Sequence, residues 1–215
     1  MSLKFYFHPL ASFCQKVLIA LYENATPFEP HIVDLANEAS GAAFRKLWPI
    51  GKMPVLRDEA RDRTIPESSI IIEYLAQHYP GRTELIPGDQ DLALRTRLAD
   101  RFYDLYVHEP MQKIVGDRLR PAGKNDPQGV ESARALLHKA YDMIDSDMAT
   151  KTWATGDAFS LADCAAAAPL FFANKLMPFG ASHRNVAAYF ERLTGRPSFA
   201  RTLAEAEPYL KLFPG

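Results

Sequence analysis

The chain is poor in several features that would each have decided its class. Two cysteines, Cys14 and Cys164, occur among 215 residues and form no C-x-x-C pair. That count argues against a disulfide-framed secreted scaffold and fits a reducing interior. The formal net charge is −1, so there is no basic footprint for nucleic acid or for an anionic membrane. Long apolar runs are missing too. The most apolar stretch, Ala165 to Ala173, is too short to cross a bilayer and contains Pro169. The opening residues Met1-Ser2-Leu3-Lys4 lack the basic and apolar regions of a secretory leader, so a cytoplasmic protein is expected. The histidines show no H-x-x-x-H spacing, and no metal is expected. There is neither an internal repeat nor a low-complexity tract.

What is present divides into two unlike halves. Leu3 to His8 is aromatic-rich and reads as a buried strand that Pro9 stops. Leu10-Ala11-Ser12 is a turn, with Ser12 as the expected N-cap of a helix marked by Phe13, Val17, Ala20 and Leu21. Phe28 to Val33 reads as a second strand, with Pro30 at an edge-tolerant place. Asn37 to Trp48 is a weaker helix. Val55-Leu56-Arg57 and Thr64-Ile65 read as a hairpin across Asp58 to Arg63, and Ser68 to His78 as a helix. The order βαβαββα is a thioredoxin-like α/β arrangement with a mixed sheet. Tyr79 to Thr83 and Pro87-Gly88 then break the pattern. Beyond them only helical periodicity appears, with a kink expected near Pro110. The sequence therefore predicts an α/β domain over 1–78, a linker over 79–88 and an all-α domain over 89–215. On the first helix of the second half, Asp100 and Asp104 read as part of a solvated face.

Two motifs stand out. Ser160-Leu161-Ala162-Asp163 is a capping box, in which Ser160 covers free amides at a helix start and Asp163 reaches back to the Ser160 N–H. The other runs from Met53-Pro54-Val55-Leu56 through the hairpin to Glu67-Ser68-Ser69. Taken alone, the serines are helix-start residues. A helix start also offers unpaired N–H donors and a positive dipole end, which suits a carboxylate ligand.

Joined at this spacing, M-P-V-L, a short hairpin and E-S-S resemble the glutathione site of the cytosolic glutathione transferases. Gly156 to Asp163 matches that family's G-D-x-F-S-x-A-D folding signature, and Arg196-Pro197-Ser198 before the last helix is also typical. The resemblance covers essentially the whole chain. It implies that Pro54 is cis and that the Met53 backbone pairs with the cysteinyl part of glutathione. It further implies that Glu67 and Ser68 hold the γ-glutamyl group and that Lys52 meets the glycyl carboxylate. Phe7, Leu10, Phe13, Tyr103, Tyr106 and Met111 would line a pocket for a small, apolar electrophile. A homodimer and a detoxifying role are implied as well. One position departs. The serine of the zeta- and theta-like, serine-type members falls here on Ala11, and the next residue is Ser12. Ser12 supplies the activating hydroxyl, or Tyr6 does as in the tyrosine classes, or neither acts. The alternatives are a glutathione-dependent isomerase resembling the maleylacetoacetate enzymes and a non-catalytic binding or scaffold protein, like the starvation-response and translation-factor relatives.

Overall fold

The computed structural model describes residues 2–214. β1 (Leu3–Phe7) lies at the middle of a four-stranded sheet. Leu3, Phe5 and Phe7 face the core, and Lys4 and Tyr6 face the other way. This is the alternation that a pleated strand imposes. β2 (Glu29–Ile32) pairs parallel to β1, while β3 (Val55–Asp58) pairs antiparallel to β1 on its other side and β4 (Arg63–Pro66) antiparallel to β3. The parallel pair needs a crossover, which α1 (Ser12–Glu23) supplies. β2 is an edge strand, so it tolerates the missing N–H of Pro30. α2 (Glu38–Leu47), capped by the Asn37 side chain, and α3 (Ser68–His78) complete this half.

The hairpin is tighter than its sequence suggests. Asp58 pairs with Arg63, so the loop is Glu59 to Asp62 and not the six residues 58–63. The cause is Asp58 itself. Its buried carboxylate accepts from the Ala60 and Arg61 amides at 3.0 and 3.3 Å and from the Tyr74 and Tyr79 hydroxyls at 2.7 and 2.6 Å. An aspartate bonding its own following amides is a turn-former that also holds the strand end in place.

The second half is helical: α4 (Gln90–Phe102), α5 (Glu109–Arg118), α6 (Pro127–Met148), α7 (Leu161–Leu176), α8 (Arg184–Thr194) and α9 (Pro197–Ala206), with a 3-10 turn over Glu207–Leu212. The expected kink is a π-helical stretch, Tyr103–His108, lying ahead of Pro110. Pro110 has no N–H and its ring crowds the carbonyl four residues back, so the ladder widens there. α7 is the central helix. Its Ala165 to Ala168 run is wholly buried and lets neighbours approach closely. Among the described residues, no helix is long and apolar enough to cross a membrane.

Two buried ionic clamps fix α1 against the helical half. Lys16, 1% exposed, lies 2.9 Å from Asp104 and 2.5 Å from Asp100, and it donates to Ser69 Oγ at 2.9 Å. The Asp100 contact is a close ion pair without hydrogen-bond alignment. Asp100 and Asp104 are therefore not on a solvated face, because a buried cation needs both. At the other end of α1, Glu23 accepts from Arg196 at 2.6 and 2.9 Å and from Ser198 at 2.9 Å.

Candidate functional site

The sheet register brings the candidate residues to one edge. Val55 pairs with Tyr6 on one side and with Pro66 on the other. The end of β1, the start of β3 and the end of β4 therefore lie side by side. The chain leaves β1 for α1 and leaves β4 for α3, so two helix N-termini rise from the same edge as Met53-Pro54. The Met53-Pro54 bond is cis. Glu67 caps α3 with its backbone alone, at φ 69°. A non-glycine residue in the left-handed region costs about 1–3 kcal/mol, and such strain concentrates at ligand clamps. Ser68, the first residue of α3, is buried; Glu67 and Lys52 are exposed.

The start of α1 differs from expectation. Its N-cap is Ala11, which has no side chain to offer, and Ser12 is the first helical residue instead of the cap. The first amides of the helix are left without a side-chain acceptor. Ser12, 7% exposed, stands at that open end. Just before it, the Leu10 N–H donates to His8 Nδ1 at 3.2 Å, which fixes the ring as the Nε2–H tautomer. Burial pushes the His8 imidazole below its ordinary pKa, so it stands neutral at pH 7.

Ser12 and Met53 open onto one cleft of about 470 Å³ between the two halves of the chain. Its floor is His8, Leu10 and Ala11, and one wall is Val33, Asp34 and Leu35. The opposite wall is apolar: Met111 and Val115 of α5, Phe172 of α7, and Phe213. A mostly apolar hollow of this size with a few converging polar groups is the ordinary form of a small-molecule site. A larger hollow of about 720 Å³, between Tyr22, Phe28 and Tyr209, contains none of the candidate glutathione-site residues.

Of the pocket residues expected from sequence, Leu10 and Met111 line the cleft, and Phe7 lines the larger hollow instead. Phe13 turns away and packs on His108, ring centroids 4.1 Å apart. Tyr103, 3% exposed, and Tyr106 line a separate depression of about 590 Å³ between α4 and α6. Both belong to the π-helical stretch and stand beside α6 residues instead of the Ser12 cleft. Tyr6 lies on the face of the sheet opposite the main core, stacked on His31 at 4.7 Å and near Phe44. The residues the sequence did not mark are His8, Asp34, Gln112, Phe172 and Phe213. His8, directly before the turn that opens α1, carried a usable signal. Phe172 and Phe213 carried none, since only tertiary packing brings them to the cleft.

Cys14 is fully buried two residues into α1, and burial pushes its thiol up to about 12. It is inert packing and not a nucleophile. His108, buried behind Phe13, is pushed down to about 4 by burial, with Lys16 adding to the effect.

Residues 5–83 match the family described as glutathione S-transferase, N-terminal domain, and residues 102–197 match glutathione S-transferase, C-terminal domain. Glutathione S-transferase 3 of Zea mays is 30% identical over 94% of this chain and 93% of its own. The stringent starvation protein A homolog of Coxiella burnetii is 29% identical over 96% and 93%. A glutathione S-transferase from Methylobacillus flagellatus, solved with GSH bound, superposes with a TM-score of 0.84. It is 25% identical, and the match covers 94% of this chain and 98% of that one.

Proposed function

Because the chain belongs to the glutathione S-transferase family, we propose that it binds glutathione at the sheet edge and transfers its thiolate to a small apolar electrophile in the cleft. The observation that carries this reading is the open start of α1. An uncapped helix end, with Ser12 as its first residue, opens onto the same hollow as Met53. The Met53 main chain pairs with the cysteinyl residue. Glu67 and Ser68 hold the γ-glutamyl amine and carboxylate, and Lys52 meets the glycyl carboxylate.

A free thiol titrates near ~8.5, and lowering that by two units requires about 2.7 kcal/mol of preferential thiolate stabilisation. A hydrogen bond to a charged group contributes roughly 1.5–3 kcal/mol. A helix terminus adds about 0.3–1 kcal/mol. Ser12 and the α1 amides together meet the need. The sulfur lone pair then attacks an electrophilic carbon. A C–S bond forms, and either a leaving group departs with its electron pair or a π pair shifts and takes a proton from water. Glutathione binding falls to residues 1–78 and the electrophile's apolar wall to residues 89–215, with 79–88 as linker. Buried free thiols suit a cytoplasmic protein, and conjugation of this kind serves detoxification.

The same edge would serve a glutathione-dependent isomerase. The non-catalytic reading has its own observation: Ala11 stands where a serine-type member carries its hydroxyl, and a starvation-response relative is among the similar proteins. Leu94, Leu98 and Met143 are more than half exposed around the α4–α6 depression, which supports a homodimer through that face. Light scattering at the mass of one chain would remove the dimer.

The deciding experiment is an ultraviolet difference titration of bound glutathione, with parallel calorimetry, on wild type and Ser12→Ala. A thiolate band at neutral pH that the substitution diminishes establishes transfer chemistry at Ser12. Tight binding without thiolate favours the non-catalytic reading. An absence of binding removes the assignment of Met53, Glu67 and Ser68.

A further inference from the structure

Far from that cleft, α6 and the start of α8 bring three metal-competent side chains to one point. His138 and Asp142 lie one turn apart on α6, and His183 precedes α8. His183 is 4% exposed and packs on Tyr141. Its Nδ1 lies 3.0 Å from the Phe179 carbonyl oxygen. A carbonyl only accepts, so Nδ1 carries a hydrogen, and in the neutral ring Nε2 presents a lone pair. That Nε2 lies 2.9 Å from Asp142 Oδ1. Two electron pairs at this distance require a shared positive centre. A proton could bridge two atoms. Here a third donor joins them: His138 Nδ1 lies 3.3 Å from the other Asp142 oxygen, and one donor atom from each residue falls within 4.8 Å of the others.

We propose that His138, Asp142 and His183 bind one divalent transition-metal ion of the zinc class. Two imidazoles and a carboxylate suit zinc, copper, nickel or iron, whereas magnesium and calcium prefer oxygen donors alone. Ligand distances of roughly 2.0–2.2 Å require the three donors to draw slightly closer than they stand. The exposed His138 side chain is free to make that move. His183, by contrast, is held in place by its burial. A backbone carbonyl on the far nitrogen is how a metal-binding histidine is usually oriented. One turn further along α6, Asp145 accepts from the Asn185 and Val186 amides at 2.8 and 3.1 Å and so fixes the start of α8 on α6. The ion would tie these two helices together and leave its remaining positions to water. The pattern is H-x-x-x-D plus a histidine 41 residues beyond the aspartate, so a search for H-x-x-x-H misses it.

The test uses untagged, chelator-stripped protein without glutathione, whose thiol also binds metals. Zinc is titrated by calorimetry and cobalt by its visible ligand-field bands. One ion per chain is expected, with a rise in thermal midpoint, and magnesium should do neither. Asp142→Asn and His138→Ala alter exposed positions of α6 and leave the core intact. Each should weaken zinc binding by more than the ~10–100-fold typical of losing an outer hydrogen-bond partner, and each should abolish the rise in midpoint. Failure of zinc to saturate a site overturns the proposal, as does binding that both variants retain. If His183 instead titrates by NMR with a pKa that Asp142→Asn shifts while zinc leaves the protein unchanged, the cluster is a proton-bridged pair, and the proposal falls.

Discussion

The starts of α1 and α7 are both marked by a serine, and the structure treats them in opposite ways. At α7 the box is complete. The Ser160 hydroxyl accepts from the Ala162 amide, and Asp163 accepts from the Ser160 amide at 2.9 Å. Asp163 also accepts from the Ala154 amide at 2.8 Å and from the Tyr189 hydroxyl at 2.7 Å. At α1 the cap position holds Ala11, and Ser12 stands one residue inside with no capping bond. Serine at a helix start is thus two different devices. Where a second side chain answers it in a buried setting, the end is sealed and serves the fold. Where nothing answers it and the end faces a cleft, donors remain for a ligand.

The comparison is broken most forcefully from the sealed side. Asp163→Ala strands the Tyr189 hydroxyl and the Ala154 and Ser160 amides in the core. At about 1–3 kcal/mol per unsatisfied buried group, the expected loss in urea unfolding is at least ~3 kcal/mol. A cost near the ~1 kcal/mol of an ordinary cap would show the box to be dispensable. Next comes the packing behind the open end. His108 supports Phe13, the second residue of α1, and its folded pKa of about 4 lies below the ordinary 6.5. The unfolded chain therefore takes its proton first. Stability is whole above pH 6.5 and declines as pH falls toward 4, by about 3 kcal/mol at most. Asp104, raised chiefly by burial, works in the opposite sense. His108→Gln should flatten the acid decline, as unfolding at pH 7 and pH 4.5 would reveal.

The open side gives smaller effects on folding. Ser12→Ala should leave the thermal midpoint nearly unchanged while lowering kcat/KM some 10–100-fold, the equivalent of roughly 1.5–3 kcal/mol. A midpoint that fell with activity would make Ser12 a structural residue after all. Smallest is Ala11→Ser, which supplies the missing cap. A gain of about 0.5–1 kcal/mol in stability is expected, together with weaker glutathione binding by calorimetry. A gain with unchanged affinity would mean that the α1 amides do not face the ligand.

Local rules made much of this legible. Ser160 and Asp163 lie within one turn of each other, so their partnership is written in a four-residue window. The hairpin, the α3 start and the cis-proline expectation sit in one continuous stretch, and all appear as elements of the sheet edge. Long-range pairings were not legible. Asp100 and Asp104 carry a solvated-face pattern because nothing near them in sequence announces Lys16, 84 and 88 residues before them, as their cation. Tyr103 and Tyr106 stand beside α6, a placement that only tertiary packing decides. The cleft's Phe172 and Phe213 belong to elements whose meeting depends on the whole chain.

The Lys16 and Glu23 clamps bear on how such a protein can be rearranged. The first half contributes one cation and one anion from a single helix, and the second half contributes the counter-charges from α4, from the π-helical stretch after it and from the start of α9. The two halves are complementary in the manner of a keyed coupling, so they are not free modules. A chimera that grafts residues 1–78 onto another helical partner must carry Asp100, Asp104 and Arg196 with it. Otherwise it inherits a charge sealed inside with nothing to answer it. Recombination between relatives should therefore succeed where these five positions travel together and fail where they are separated.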